Sequence, residues 1–215
     1  MKIKAVFLAL VVLLTLASCG KGEEPPKVLL FIRTGSYDLE FMLAEEVGVM
    51  TELLEQSGFQ VVVATLSGNP IEKDSTNLRP DLGLDDVIVA DYAGFILPCM
   101  SVNYAYHPEA AVAMVKTAAA EGKPVAAQHS SILTLAKAGL LVDKKFAFAT
   151  SPPYTEDHFL SLKDGIHSGT GVVQDGNMIT SGLCPYEARD AGKQGGGGTE
   201  ELTRALIAAM EAKRD

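Results

Sequence analysis

The sequence predicts a three-layer α/β/α sandwich around a mostly parallel sheet. Short apolar runs, typical of strands that are buried on both faces, alternate with segments of helical periodicity along most of the chain. The first strand, helix and strand follow one another within ~35 residues, the spacing of a βαβ unit, which requires a parallel strand pair and a right-handed crossover. The length of 215 residues suits one such domain.

The first βαβ unit lies between residues 28 and 64. Residues 28–32 form a continuous apolar run and predict the first strand. Apolar residues then recur at helical spacing at Leu43, Val47, Met50 and Leu54. This pattern predicts an amphipathic helix that ends at Gly58, because glycine readily adopts the left-handed conformation that closes a helix. Residues 59–64 predict the second strand.

The same signals continue to the end of the chain. The predicted strands are 94–97, 125–128, 145–150 and an edge hairpin of 171–175 with 177–181. The predicted helices are 108–121, 130–137 and 199–213. In the first, Val112, Val115 and Ala119 are expected to face the sheet. Thr199 is expected to cap the last helix, whose inner face carries Leu202, Leu206 and Met210. Residues 67–91 predict only short elements, and the glycines at 195–198 predict a flexible loop.

The N-terminal residues predict a targeting segment. Lys2 and Lys4 precede an apolar stretch at 5–17. The stretch is too short to cross ~30 Å of hydrocarbon and is typical of a signal peptide. Residues 16–19 read Leu-Ala-Ser-Cys and resemble a bacterial lipobox. We therefore expect residues 1–18 to be removed and Cys19 to carry diacylglyceryl and palmitate chains. Residues 19–27 would form a tether, and 28–215 a domain held on a periplasmic or outer-membrane surface of the cell envelope.

The composition excludes several classes of protein. The formal net charge is −9 and no basic stripe stands out, which argues against a nucleic-acid partner. Three cysteines in the whole chain cannot form a dense disulfide framework.

Three stretches carry a family resemblance. Residues 122–131 read GKPVAAQHSS, residues 138–141 read AGLL, and residues 91–98 read DYAGFILP. They are similar to the ThiJ/PfpI family of the class I glutamine-amidotransferase-like superfamily, whose usual text is GKPVAAICHGP followed by a helix and AGLL. The resemblance implies a flavodoxin-like sheet, places Glu46 beside the family's nucleophile, and makes a homodimer an expectation, since relatives often dimerise.

The departures from the family pattern concern its chemistry. The position of the family's nucleophilic cysteine, on a strained strand-to-helix turn, holds His129. The family's Leu-Pro-Gly-Gly, whose backbone N–H groups form an oxyanion hole, reads Leu-Pro-Cys-Met at 97–100. The thiol chemistry that the family implies therefore does not carry over to position 129.

His129, Glu46 and Cys99 are the catalytic candidates, and Met100 and Ser130, which adjoin them, are the ligand-binding candidates. The turn lies at the carboxyl ends of the parallel strands, where open α/β sheets bind ligands. An imidazole there, near Glu46, suits a general acid or base at neutral pH. The alternative is a relic pocket in which His129 only satisfies a hydrogen bond. For Ser130 and the serine that follows it, helix capping is the favoured interpretation.

The two remaining thiols, Cys99 and Cys184, each follow a predicted strand. Four arrangements stay open: buried unpaired thiols, a disulfide, a displaced nucleophile at Cys99 activated by His129, or a metal site with His129 and Glu46. No close CxxC or HxxxH spacing supports a metal, so we assign no metal and no cofactor. The other histidines, His107, His158 and His167, lie in loops and are expected to be solvated, with His107 at the pocket rim beside Tyr104 and Tyr106.

Two functional hypotheses lead. The first is a membrane-anchored domain of the cell envelope that binds a small polar ligand, or a degenerate family member without activity, in which alkylation or substitution of Cys99 changes nothing. The second is a lyase or hydrolase, deglycase-like or glyoxalase-like, that acts on small carbonyl compounds through His129 and Glu46, with Cys99 as a possible nucleophile. A scaffold lipoprotein that binds only partners is a third class.

Overall fold

The computed structural model describes residues 24–192 and 196–214. The strands are β1 (Lys27–Phe31), β2 (Gln60–Thr65), β3 (Ile71–Lys73), β4 (Thr76–Leu78), β5 (Leu82–Gly83), β6 (Tyr92–Leu97), β7 (Val125–Gln128), β8 (Lys145–Phe146), β9 (Ile166–His167), β10 (Val172–Asp175) and β11 (Met178–Ser181). The helices are α1 (Leu39–Met42), which continues through a π-helical turn (Leu43–Gly48) into α2 (Val49–Gln56), then α3 (Glu109–Ala120), α4 (Ile132–Lys137), α5 (Pro185–Asp190) and α6 (Thr199–Glu211).

The main sheet has seven strands in the order β10-β11-β7-β6-β1-β2-β5. Every pairing in it is parallel except the β10–β11 hairpin at the edge. The series β2-β1-β6-β7-β11 reads 2-1-3-4-5 in chain order, the doubly wound arrangement in which ligands bind beyond the carboxyl ends of the strands. The predicted sandwich and its mostly parallel sheet are confirmed.

Side chains alternate between two cores, one on each face of the sheet. Leu29 and Phe31 of β1 lie in the core that α3 and α4 cover, whereas Val28 and Leu30 lie in the core that α2 and α6 cover. Both faces of the central strands are therefore buried, which is why these strands read as continuous apolar runs. The predicted inner face of α6 is confirmed, since Leu202, Leu206 and Met210 are all buried.

Three local predictions need correction. The strand expected at 145–150 ends at Phe146, because the next N–H group, that of Ala147, donates to the Thr180 hydroxyl rather than to a neighbouring strand. In α3 the buried face is Ala111, Met114, Val115 and Ala118, so Val115 is confirmed, whereas Val112 and Ala119 are only partly buried. The cap of α6 is Gly198, at φ +85°, and Thr199 is the first helical residue.

The predicted signal peptide and the lipidation residue Cys19 lie outside the described residues. Among the residues that are described, no helix is long and apolar enough to cross a bilayer.

Candidate active site

Four polar or thiol side chains meet where four neighbouring strands end. Arg33 follows β1, Cys99 follows β6, His129 follows β7 and Cys184 follows β11. All four side chains are buried. Because parallel strands place their carboxyl ends at one edge of the sheet, residues far apart in sequence converge there.

His129 lies at the sharp bend between β7 and α4. Its φ of +46° is in the left-handed region, which histidine tolerates better than most residues and which is common at functional turns. The ring Nδ1 is 3.3 Å from the Cys99 Sγ and 3.8 Å from the Cys184 Sγ. The ring Nε2 is 3.0 Å from the Tyr104 hydroxyl. Both nitrogens are therefore engaged, one by sulfur and one by the phenol.

Cys99 is a thiol poised to ionise. Burial raises its pKa, but the Cys184 thiol, the charge and hydrogen bond of His129, and the Ser130 hydroxyl outweigh that effect and hold the pKa well below its usual value. The Ser130 Oγ is 3.2 Å from the Cys99 Sγ. The pKa of Cys184 is raised, first by its interaction with Cys99 and then by burial, so Cys184 keeps its proton where Cys99 loses its own. Neither sulfur is in a disulfide.

Arg33 supplies a buried positive charge behind Cys99. Its guanidinium donates to the backbone oxygens of Cys99 and Tyr106, each at 3.0 Å, and to the Ser130 hydroxyl. Burial lowers the pKa of Arg33, while negative charge on Cys99 and Glu46 raises it. A cation held away from water favours an anion close by, and ionisation of the Cys99 thiol would supply one.

Glu46 holds the backbone of the segment that carries Cys99. The π-helical turn directs its fully buried carboxyl group toward β6, where its two oxygens accept the N–H groups of Cys99 and Met100, both at 2.8 Å. Burial and the charge of Cys99 raise its pKa well above the usual value, against these two hydrogen bonds and Arg33. Both carboxyl oxygens are engaged with the backbone.

A cavity of about 450 Å³ opens in front of the thiols. It is lined by Tyr37, Cys99, Ser101, Val102, Asn103, Tyr104, His129, His158, Cys184, Tyr186 and Glu187. Cys99 and His129 both line the cavity. Glu46, Met100 and Ser130 do not line it and are buried behind its wall. The volume suits a small molecule.

The loop after β6 closes one side of the cavity through Tyr104. The Tyr104 ring stacks on His158 at 5.6 Å between ring centres, and its backbone oxygen lies 2.7 Å from the Nε2 of His107. His107 was expected at the solvated rim; instead it is buried, with its Nδ1 2.8 Å from the Thr134 hydroxyl. It therefore anchors the loop that brings the Tyr104 hydroxyl to His129.

The serines after the bend were expected to cap a helix, and Ser131 does occupy the N-cap position of α4, but the capping contacts themselves are missing. Neither makes a capping hydrogen bond. The Ser131 hydroxyl donates to the Pro98 oxygen, and the Ser130 hydroxyl lies between Cys99 and Arg33. These hydroxyls satisfy backbone oxygens at the end of β6.

The sequence alone did not predict a role in the site for two of its residues. Arg33 directly follows the apolar run of β1, and a charge just beyond a buried strand was the available signal. Tyr104 was noticed only as a rim residue.

Comparisons with known proteins agree with this architecture. The chain is 34% identical, over 138 residues, to an uncharacterized protein of Archaeoglobus fulgidus, covering 62% of this chain and 80% of that one. The crystal structure of Drosophila melanogaster DJ-1beta is similar with a TM-score of 0.63 at 21% identity, covering 88% of this chain and 92% of that chain. A ThiJ/PfpI domain protein from Brachyspira murdochii gives a TM-score of 0.63 at 15% identity, covering 88% and 98% respectively.

These solved structures bear out the flavodoxin-like α/β fold, with helices on both faces of a mostly parallel sheet. The DJ-1/PfpI family model matches residues 26–187, a range that contains the converging strands and the residues Arg33, Cys99, His129 and Cys184. The chain therefore belongs to the DJ-1/PfpI family.

Proposed function

We propose that the chain is a thiol-dependent lyase or hydrolase that acts on small carbonyl compounds, with Cys99 as the nucleophile and His129 as the acid and base. The observation that carries this proposal is the 3.3 Å contact between the Cys99 Sγ and the His129 Nδ1 on the wall of the cavity. A thiol in contact with an imidazole is the arrangement that generates a thiolate for attack on carbonyl carbon.

The first chemical step follows from that contact. The Cys99 proton passes to the His129 ring, and the thiolate then attacks the carbonyl carbon of the substrate. An S–C bond forms, the carbonyl π pair moves to oxygen, and the imidazolium returns its proton to that oxygen. The product is a neutral hemithioacetal (from an aldehyde) or tetrahedral adduct (from an ester) and a neutral imidazole.

In this proposal Glu46 is a positioning residue. Both of its oxygens accept backbone N–H groups, from Cys99 and Met100, so it fixes the position of the nucleophile's backbone and does not touch substrate. This role replaces the acid–base role that the sequence suggested for it.

One observation favours a second candidate, a pocket that binds a small carbonyl or other polar ligand without turnover. Acyl transfer usually relies on backbone N–H groups that stabilise the oxyanion. The N–H groups of Cys99 and Met100 are already engaged by Glu46. The Tyr104 hydroxyl lines the cavity, but it already contacts His129.

One set of assays separates the two candidates. Consumption of methylglyoxal and hydrolysis of a p-nitrophenyl ester are measured for the full chain, for Cys99→Ala and for His129→Ala. We expect Cys99→Ala to reduce turnover to background and His129→Ala to reduce it by about 10²–10⁴-fold, the usual contribution of a general acid or base. His167→Gln, which changes a histidine outside the cavity lining, is the matched control and keeps full turnover.

The outcomes differ for each candidate. Turnover that survives Cys99→Ala rules out the thiol mechanism. Absence of turnover, together with protection of Cys99 from iodoacetamide by a small carbonyl compound, supports the binding candidate. Peptide mapping by mass spectrometry identifies the alkylated thiol, which we expect to be Cys99 before Cys184.

We further propose that this domain is anchored to a membrane of the cell envelope through lipid on Cys19. The support is the sequence alone: a basic start, a short apolar stretch and the Leu-Ala-Ser-Cys tetrapeptide at 16–19. Intact mass of the protein from a bacterial membrane fraction tests this proposal. Acyl mass that disappears in Cys19→Ser supports it, and an unmodified, uncleaved chain contradicts it.

A further inference from the structure

We propose that Cys99, His129 and Cys184 bind a thiophilic metal ion, with Zn²⁺ as the best match, and that the ion competes with substrate for the Cys99 sulfur. Each residue offers one ligand atom, and the three atoms lie within 4.8 Å of one another. The inference goes beyond the proposed function, because it requires Cys184 and a ring nitrogen as ligands whether or not Cys99 performs catalysis.

The spacing of the three atoms fits tetrahedral coordination. Bonds of about 2.3 Å from zinc to sulfur and about 2.0–2.1 Å to nitrogen, at tetrahedral angles, separate sulfur from nitrogen by roughly 3.6 Å. The His129 Nδ1 lies 3.3 Å from the Cys99 Sγ and 3.8 Å from the Cys184 Sγ, one slightly below and one slightly above that value. Shifts of a few tenths of an ångström would bring both sulfur–nitrogen distances to that value.

Hydrogen bonding alone leaves this arrangement incomplete. A ring nitrogen offers one proton or one lone pair, yet two sulfurs approach the same Nδ1 of His129. At any moment the nitrogen can therefore form a good hydrogen bond with only one of the two sulfurs. A cation bonded to all three atoms satisfies them together, and two thiolates neutralise a divalent ion inside the protein.

The surroundings match the support that metal ligands usually have. A metal-bound imidazole normally donates its second N–H to a polar group, which fixes the tautomer. The Nε2 of His129 lies 3.0 Å from the Tyr104 hydroxyl, and in the tautomer that donates to this hydroxyl the Nδ1 lone pair is directed toward the sulfurs. The Ser130 hydroxyl, 3.2 Å from the Cys99 Sγ, supports a thiolate ligand in the same way.

The ligand types select the ion. Two sulfurs and one imidazole favour Zn²⁺ or Cu⁺ and disfavour Mg²⁺ and Ca²⁺, which prefer oxygen. Three protein ligands on a cavity wall leave a fourth position for water or a small ligand, as in zinc sites that remain open. Because Cys99 cannot be a zinc ligand and a free nucleophile at once, the ion would inhibit thiol chemistry at this site.

The test uses the full chain, reduced and stripped of metal with a chelator. Zn²⁺ affinity is measured by competition with a chromophoric chelator, and Co²⁺ serves as a spectroscopic probe. We expect one ion per chain and a sulfur-to-cobalt charge-transfer band in the near ultraviolet. Tyr104→Phe should weaken Zn²⁺ binding by about 10–100-fold, the usual effect of removing a partner of a ligand. Cys184→Ala and His129→Ala should weaken it further.

His167→Gln is the control for non-specific binding of Zn²⁺ to histidine. Cys184→Ser changes the side-chain shape less than alanine does, so it tests the same ligand if the alanine variant misfolds. Zn²⁺ should protect Cys99 and Cys184 together from iodoacetamide. Equal Zn²⁺ affinity in wild type and in both Cys184 variants, or cobalt bound without sulfur bands, would overturn the inference.

Failure of this inference is distinguishable from failure of the proposed function. A metal-free protein that turns over methylglyoxal but does not bind Zn²⁺ refutes only the metal site. Zn²⁺ binding by a protein that is inactive when metal-free supports the metal site and refutes the nucleophile.

Discussion

His107 should make the stability of the fold depend on pH in a defined direction. Its ring is buried between the Tyr104 backbone oxygen and the Thr134 hydroxyl. Burial and the positive charge of Arg33 lower its pKa to about 3, against the hydrogen bond to Tyr104, with Lys137 adding a further lowering effect. The folded protein therefore holds His107 neutral at pH values where an unfolded chain would protonate it.

The magnitude follows from linkage. In the unfolded chain the pKa of histidine is about 6.5, so below that pH the unfolded state binds a proton that the folded state binds only near pH 3. The contribution of His107 to the free energy of unfolding is therefore fully present above about pH 6.5 and declines as the pH falls toward 3. At pH 5 the loss amounts to about 2 kcal/mol relative to pH 8.

Urea unfolding of wild type and His107→Gln at pH 8 and pH 5 measures this effect. Glutamine does not titrate, and its amide can still donate to the Tyr104 oxygen, so the variant isolates the proton. We expect the stability of wild type relative to the variant to fall by about 2 kcal/mol between pH 8 and pH 5. Carboxyl groups such as Glu46 titrate in both proteins and cancel in this comparison. An identical difference at the two pH values would refute the reasoning.

Three substitutions should destabilise the fold by separate mechanisms, each read from the urea unfolding midpoint. Phe148→Ala should cost about 3–5 kcal/mol, because it empties buried space beside the His129 ring, whose centre lies 6.0 Å away; a loss below 1 kcal/mol would contradict full burial. Thr180→Val should cost about 1–3 kcal/mol by leaving the buried Ala147 N–H without an acceptor, whereas Thr180→Ser should keep most of the stability. Lys123→Met should cost a similar amount, because the Nζ donates to three backbone oxygens, and Lys123→Arg should restore part of it.

The fold could be predicted because its signals are local and repeated. Strands such as β1 and β7 read as apolar runs, and the edge hairpin of β10 and β11 follows from alternating residues on either side of a turn. Predictions failed where tertiary contacts replaced regular backbone pairing. Residues 147–150 have apolar character, but the N–H of Ala147 bonds to a side chain of another strand, which local pattern cannot reveal.

The site was only partly predictable, for a related reason. The positions of Cys99 and His129 at strand ends follow from the order of elements, but the approach of Cys184 to His129 depends on β11 lying beside β7. The position of Arg33 just beyond a buried strand was visible, but its contacts were not, because arginine is seldom buried and two of its partners are backbone oxygens that carry no sequence signal.

The contact between the thiol and the imidazole follows from the order of the strands in the sheet. His129 follows β7, and Cys99 follows the adjacent strand, β6. Adjacent strands lie about 4.8 Å apart, so side chains at their carboxyl ends are within reach of each other. Cys99 and His129 therefore reach the same cavity from two neighbouring strands, and the thiol has the imidazole as a direct partner at 3.3 Å.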